Sequence, residues 1–313
     1  MNRPNATRLS TVASSLRSPM LGALLMGLAT ASTGCGPQEG GEAPESLATV
    51  SQHSRTDADY AVAFAEVTGA GYQYLTPGWY TASQLTGVGT QSLSLITVPA
   101  GWRVTLFSAD NFTGASQLVR HDTDLTGTAF DNRTVSISVE GSVMAYRNDG
   151  FHGAGYQSFG IGAYDSAQLT TVPPKTLTSL RVAPGWKVTL YSGAGFTGTT
   201  RVITADKDLW ASGDTFNDQT ASLKVEGPVT LFQHGTFGGY SQNIQAGYYS
   251  GTRLSFGPYQ LSALKVAPGW TVTLYSGENF SGETRVITAD TDLWANGDFN
   301  DRTGSLKVEG PEL

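Results

Sequence analysis

The sequence predicts an all-β protein made of three tandem domains, each with two Greek-key motifs forming a two-sheet sandwich. The first observation behind this is a long internal repeat. PAGWRVTLFSADNFTG, APGWKVTLYSGAGFTG and APGWTVTLYSGENFSG are near copies, and their tryptophans, Trp102, Trp186 and Trp270, stand 84 residues apart. Tyr72, Tyr156 and Tyr240 keep that period, as do Tyr80, Tyr164 and Tyr248. The second is alternation: Trp186, Val188 and Leu190 are separated by Lys187 and Thr189, which gives one apolar face at period two. The third is punctuation, since short apolar runs end at Gly, Pro, Asn or Asp. A unit of this length is too long for a solenoid repeat and suits a small sandwich domain. DLWASGD (208–214) is expected to form one short turn at most.

Composition narrows the function classes. Of 313 residues, 39% are hydrophobic and only 14% charged, which excludes a charged coiled coil and argues against general disorder. All 26 acidic residues follow position 35, where 16 basic residues oppose them, a formal −10. That balance argues against nucleic acid and favours a divalent cation as partner. The single cysteine excludes an intramolecular disulfide framework and a multi-Cys zinc site.

The N-terminus reads as an address. Arg3, Arg8 and Arg17 form a basic, acid-free segment before the apolar run Met20 to Ala31, which is too short to span a bilayer as a helix. The run ends at Ser32 to Cys35 (STGC), which resembles a bacterial lipobox, with Ser32 where Leu is usual. Acylation of Cys35 would make residues 1–35 a lipoprotein signal peptide, with the membrane touched only through that anchor. Gly36 after the cysteine implies outer-membrane sorting and cell-surface display. Ala29-Thr30-Ala31 offers an ordinary cleavage site instead, which would yield a secreted protein. Residues 36–59 are polar and rich in Gly, Pro, Ser and Glu, as in a flexible linker.

The repeats fall at 60–141, 142–227 and 228–310, with junctions such as Glu226-Gly227-Pro228 that leave almost no linker, so neighbours should touch. Each is doubled inside. Its second half carries two aromatics and a glycine at fixed spacing: Phe107/Phe112/Gly114, Tyr191/Phe196/Gly198 and Tyr275/Phe280/Gly282. First halves repeat it at Tyr146/Phe151/Gly153 and Phe232/Phe237/Gly239. In the first repeat the matching positions read as Val62, Val67 and Gly69, with both aromatics lost. The pattern predicts a folded hairpin, with Gly in a positive-φ turn and the aromatics packed across it.

This doubled signature, in register with three similar terminal loops, resembles the βγ-crystallin superfamily over about residues 60–310. The resemblance implies a two-sheet wedge in each domain. It also implies Ca²⁺, because microbial members often bind it through [ND]-[ND]-x-x-[ST]-S loops. The loops here are DNRTVS (131–136), NDQTAS (217–222) and NDRTGS (300–305). Their fifth positions, Val135, Ala221 and Gly304, lack the hydroxyl. The first-half loops TQSLSL (90–95), PKTLTS (174–179) and PYQLSA (258–263) lack the Asx pair but keep Ser94, Thr178 and Ser262. Since the family shares ligands crosswise, one site per domain is expected. It would join Asp131 and Asn132 with Ser94, Asn217 and Asp218 with Thr178, and Asn300 and Asp301 with Ser262. Backbone carbonyls of Arg133, Gln219 and Arg302 would assist. The first repeat, with Asn132 where the others have Asp, is expected to bind least well. The competing explanation is local: Asn and Asp favour turns, and the serine at position six satisfies a buried polar group.

No enzyme is expected. The four histidines, His53, His121, His152 and His234, ignore the repeat, and HExxH and GxSxG are absent. Trp79, Trp210 and Trp294 are expected as core or corner aromatics, the other reading being exposed sugar-stacking platforms. The sequence therefore predicts a non-enzymatic, calcium-binding structural or binding lipoprotein of the bacterial cell surface. The alternatives are a module for envelope polysaccharide and a protease inhibitor acting on an extracellular protein.

Overall fold

The computed structural model describes residues 61–65, 71–153, 155–297 and 299–311. The expected signal peptide (1–35), Cys35 and the expected linker (36–59) lie outside the described residues. Among those described, regular structure is strands, five 3₁₀ turns and one four-residue helix, Leu293–Asn296. No described helix is long and apolar enough to cross a membrane.

The first repeat sets the pattern. Its strands are β1 (Ala61–Phe64), β2 (Tyr72–Leu75), β3 (Gly78–Tyr80), β4 (Leu95–Thr97), β5 (Arg103–Ala109), β6 (Thr113–Val119), β7 (Thr123–Asp124) and β8 (Ser136–Glu140). They form two four-stranded antiparallel sheets, in the orders β2-β1-β4-β7 and β3-β8-β5-β6. Each half therefore lends its third strand to the other half's sheet. Neither half can satisfy its own sheet edge, so the two Greek keys fold as one unit. The second repeat has the same two orders. They are Tyr156–Ser158, Val143–Tyr146, Ser179–Val182, Lys207–Asp208, and Gly162–Tyr164, Ser222–Glu226, Lys187–Gly193, Thr197–Ile203. The third repeats them again, around Val229–His234 and Thr271–Tyr275.

Alternation decides what lies inside. Val104 and Leu106, Val188 and Leu190, and Val272 and Leu274 are all fully buried, and the residues between them are half-buried. The first repeat has its own apolar core, whereas those of the second and third are continuous.

The five folded hairpins are built as the motif predicts. Their aromatic pairs meet edge to face at ring separations of 5.7 to 6.4 Å. Gly114, Gly153, Gly198, Gly239 and Gly282 all have positive φ. The phenylalanine two residues earlier is also left-handed, with φ of 58 to 60° in all five, a cost that the surrounding bonds must offset. In the first repeat, backbone register corrects the sequence alignment. Phe64 pairs with Tyr72 and Leu95, as Tyr146 pairs with Tyr156 and Ser179. An aromatic residue is thus kept there, and Val62 is not the match. The shorter hairpin displaced the alignment; Val67 and Gly69 lie outside the described residues.

Neighbouring repeats touch, as their short junctions require. Trp270 Nε1 donates to the Pro184 carbonyl at 3.1 Å. Arg103 meets Asp206 at 2.9 Å, Asp206 meets Arg181 at 3.2 Å, and Arg181 meets Glu140 at 3.0 Å. The chain of charges ends at Tyr146, whose hydroxyl donates to Glu140 at 2.6 Å. Burial, and then the Glu140 charge, hold that hydroxyl well above the ordinary tyrosine range, so it remains a donor.

Candidate functional site

In each repeat the loop entering the first half's last strand lies against the loop entering the second half's last strand. Reciprocal backbone bonds lock the two together. Asn132 N donates to Leu93 O at 3.0 Å and Gln91 N to Thr134 O at 2.8 Å. The counterparts are Asp218 to Leu177 and Lys175 to Thr220, then Asp301 to Leu261 and Tyr259 to Thr303, all within 2.7 to 3.1 Å. Asn132, Asp218 and Asp301 have φ of 52 to 53°. Asn and Asp tolerate this region better than most residues, so backbone geometry alone already favours an Asx at position two.

The side chains then meet crosswise. Ser94 Oγ donates to Asp131 Oδ1 at 2.9 Å and lies 3.3 Å from Asn132 Oδ1. Thr178 Oγ1 donates to Asp218 Oδ1 at 3.3 Å, and Ser262 Oγ to Asp301 Oδ1 at 3.1 Å. Asn217 and Asn300 donate through Nδ2 to Asp218 and Asp301 Oδ2, at 3.1 and 2.8 Å. The opposite amide oxygens, Asn217 Oδ1 and Asn300 Oδ1, are buried without a hydrogen-bond partner. Arg133, Gln219 and Arg302 follow in the same turns, their N–H groups bonded to Phe130, Phe216 and Phe299 carbonyls. The Arg302 side chain turns outward to Glu283 at 2.5 Å.

Positions five and six serve the fold. Val135, Ala221 and Gly304 each donate a backbone N–H at 2.8 Å to the first aromatic of the hairpin, at Phe107, Tyr191 and Tyr275. Ser136, Ser222 and Ser305 Oγ donate to the Ala109, Gly193 and Gly277 carbonyls. The same oxygens accept the N–H of Phe112, Phe196 and Phe280. Each serine therefore pins the strained phenylalanine of its hairpin, the structural role that the sequence allowed for it.

The surroundings of the loop pairs differ between repeats. In the third, Ser262 and Asp301 open into a cleft of about 630 Å³ whose walls include Gln233, His234, Tyr259, Gln260 and Trp294. In the second, Thr178 and Asp218 open into one of about 360 Å³ that also holds Arg147 and Lys175. Among the described residues, no three His, Cys, Asp or Glu side chains cluster as a metal site.

The tryptophans correct an expectation. Trp79 packs edge to face on Phe112 at 4.7 Å, as a corner residue should. Trp210 and Trp294, expected as core or corner aromatics, are 62% and 63% exposed. The preceding leucines, Leu209 and Leu293, take the inward place and are fully buried, which turns the next residue outward.

Sequence reading missed a set of bracing carboxylates. Asp110 accepts from Ala82 N, Asp165 from Gly195 N, and Asp292 from Thr236 N and Ala295 N. Each ties one half of a repeat to the other, a partnership that no local motif announces. These backbone N–H groups hold all three carboxyls below the usual carboxylate value of 3.8. A lowered folded value means the stabilisation is present above the unfolded value and disappears as pH falls through the folded one. Asp292→Asn is therefore expected to lower the urea midpoint near neutral pH, with the deficit shrinking below about pH 4. A deficit independent of pH would refute the charge contribution.

No family model matches the chain. Development-specific protein S of Myxococcus xanthus is 25% identical over 173 residues, covering 53% of this chain and 98% of that protein. A βγ-crystallin domain from Clostridium beijerinckii is 33% identical, covering 26% of this chain and 95% of its own, at a TM-score of 0.24. The N-terminal domain of Protein S is 25% identical, covering 27% and 98%, at a TM-score of 0.25. The chain is therefore similar in sequence to Development-specific protein S and to a bacterial βγ-crystallin domain over nearly the whole length of each.

Proposed function

We propose that this protein is an exported, non-catalytic binding and structural protein of the cell surface, with three tandem βγ-crystallin-like domains that each hold one Ca²⁺ between paired loops. The single observation supporting the calcium reading is the crosswise meeting of a hydroxyl with an Asx side chain in all three repeats. The donors suit the ion: carboxylate, amide and hydroxyl oxygens are hard ligands. The buried, unpartnered Asn217 Oδ1 and Asn300 Oδ1 add oxygens that lack a protein donor. Bound Ca²⁺ would supply a charge bridge between the two loops of a domain.

The repeats should differ in affinity. Asp131 brings a carboxylate to Ser94, which compensates for Asn132 in the first repeat. Arg147 and Lys175 share the cleft of Asp218, so the second repeat should be the weakest. The third, with Asp301 and, among the described residues, no Lys or Arg in its cleft, should be the strongest. One carboxylate for most of the ligand set favours modest affinity. Export with a lipid on Cys35 would place these domains at the outer surface.

Thermal unfolding in EDTA and in millimolar Ca²⁺ tests this. Ligand at about 100 times its Kd adds about 2.7 kcal/mol to the folded state, so the midpoint should rise and saturate. Asp301→Ala should remove more of that rise than Asp218→Ala. No rise, with direct calorimetry also silent, would leave the Asx residues with turn geometry alone.

A further inference from the structure

We propose that the cleft of the third repeat binds a neutral saccharide, with Trp294 as its stacking platform. The cleft shares Ser262 and Asp301 with the proposed calcium loops, but Trp294 is not among the proposed ligands and the stacking needs no metal. The cleft is broadly open to solvent and, at about 630 Å³, lies in the size range of small-molecule sites. Trp294, a residue 63% exposed, forms one wall, and Tyr259, 44% exposed, adds a second aromatic side chain. A pyranose offers an apolar C–H face that stacks on an indole, while its hydroxyls need donors and acceptors at the ring edge. Gln233, Gln260, His234 and Asp301 line the same cleft. Gln233 Nε2 donates to Gln260 Oε1 at 2.6 Å, which sets both amides and leaves the Gln233 carbonyl and Gln260 amino group to other partners.

The platform is seated rather than merely exposed. A Cβ on Gly235 would lie 2.9 Å from Trp294 Cβ and 3.1 to 3.2 Å from its ring, so only glycine lets the tryptophan rest there. The one-turn helix carrying Trp294 is capped by Asp292, which also holds Thr236 N at 2.7 Å, so hairpin and helix are tied into one wall. The second repeat keeps the aspartate tie, with Asp208 holding Gly150 N at 2.7 Å and Ala211 N at 2.8 Å, but its wall is otherwise different. Asp149 stands where Gly235 does in the hairpin, Trp210 is not part of the cleft wall, and Arg147 and Lys175 bring positive charge. Among the described residues, Asp301 is the only carboxylate in the third-repeat wall and no Lys or Arg opposes it, which disfavours an acidic sugar.

The test titrates the whole protein in EDTA with cellohexaose, chitohexaose and maltohexaose, read by tryptophan fluorescence and calorimetry. At least one should bind with millimolar or tighter Kd and perturb the emission. Trp294→Ala should weaken that binding at least tenfold, and so should Gly235→Val, which unseats the ring. Trp210→Ala should leave it unchanged. Thermal unfolding of each variant shows that the fold is retained, as expected for an exposed side chain. Silence with all three sugars, or binding that survives Trp294→Ala, would overturn the proposal.

Discussion

Trp270→Ala should destabilise the third repeat by about 3–5 kcal/mol, the cost of truncating a large buried aromatic. Trp270 is only 1% exposed, and its indole N–H reaches across to the Pro184 carbonyl of the preceding repeat. Gly185 and Gly310 both approach its ring so closely that a Cβ on either would fall within 3 Å. One side chain thus fills a core and joins two repeats. Urea unfolding should show an earlier transition for the third repeat, separated from the rest. A single transition at an unchanged midpoint would show that the junction carries no stability. Gly185→Ala loads the junction without removing core volume, adding a Cβ 2.4 Å from Trp270 Nε1 together with backbone strain at a φ of +84°.

Ser222→Ala is the second large effect. Ser222 is fully buried, donates to Gly193 O at 2.8 Å and accepts Phe196 N at 3.1 Å. Alanine would leave a carbonyl and an N–H unpaired at a residue already in the left-handed region. Buried groups stripped of partners cost about 1–3 kcal/mol each, so a loss of about 2–4 kcal/mol is expected. Chemical denaturation would measure it, and Ca²⁺ binding measured in parallel should be retained, because this serine braces the hairpin. Loss of calcium response without loss of stability would instead make Ser222 a ligand.

The repeat, the all-β class, the buried faces and the aromatic hairpins were legible because each depends on near neighbours. Alternation at period two decides which face of Lys187–Gly193 is buried. A glycine two residues after Phe196 permits the hairpin whatever lies elsewhere. The loop pairs were expected for a different reason: the family resemblance implied crosswise sharing, and the loss of the hydroxyl from one loop and of the Asx pair from the other recurs in all three copies.

What stayed hidden depends on groups brought together from distant parts of the chain. Strand exchange follows from how two halves satisfy each other's edges, which no single half encodes. Trp210 and Trp294 look like core or corner residues until Leu209 and Leu293 occupy the inward place. Arg147 and Lys175 stand 28 positions apart in sequence, yet share a cleft with Asp218. The chemistry of each cleft is thus a long-range property. Local pattern sets which residues are buried or turned, but only the packed sheets decide which charges, amides and rings surround a given oxygen.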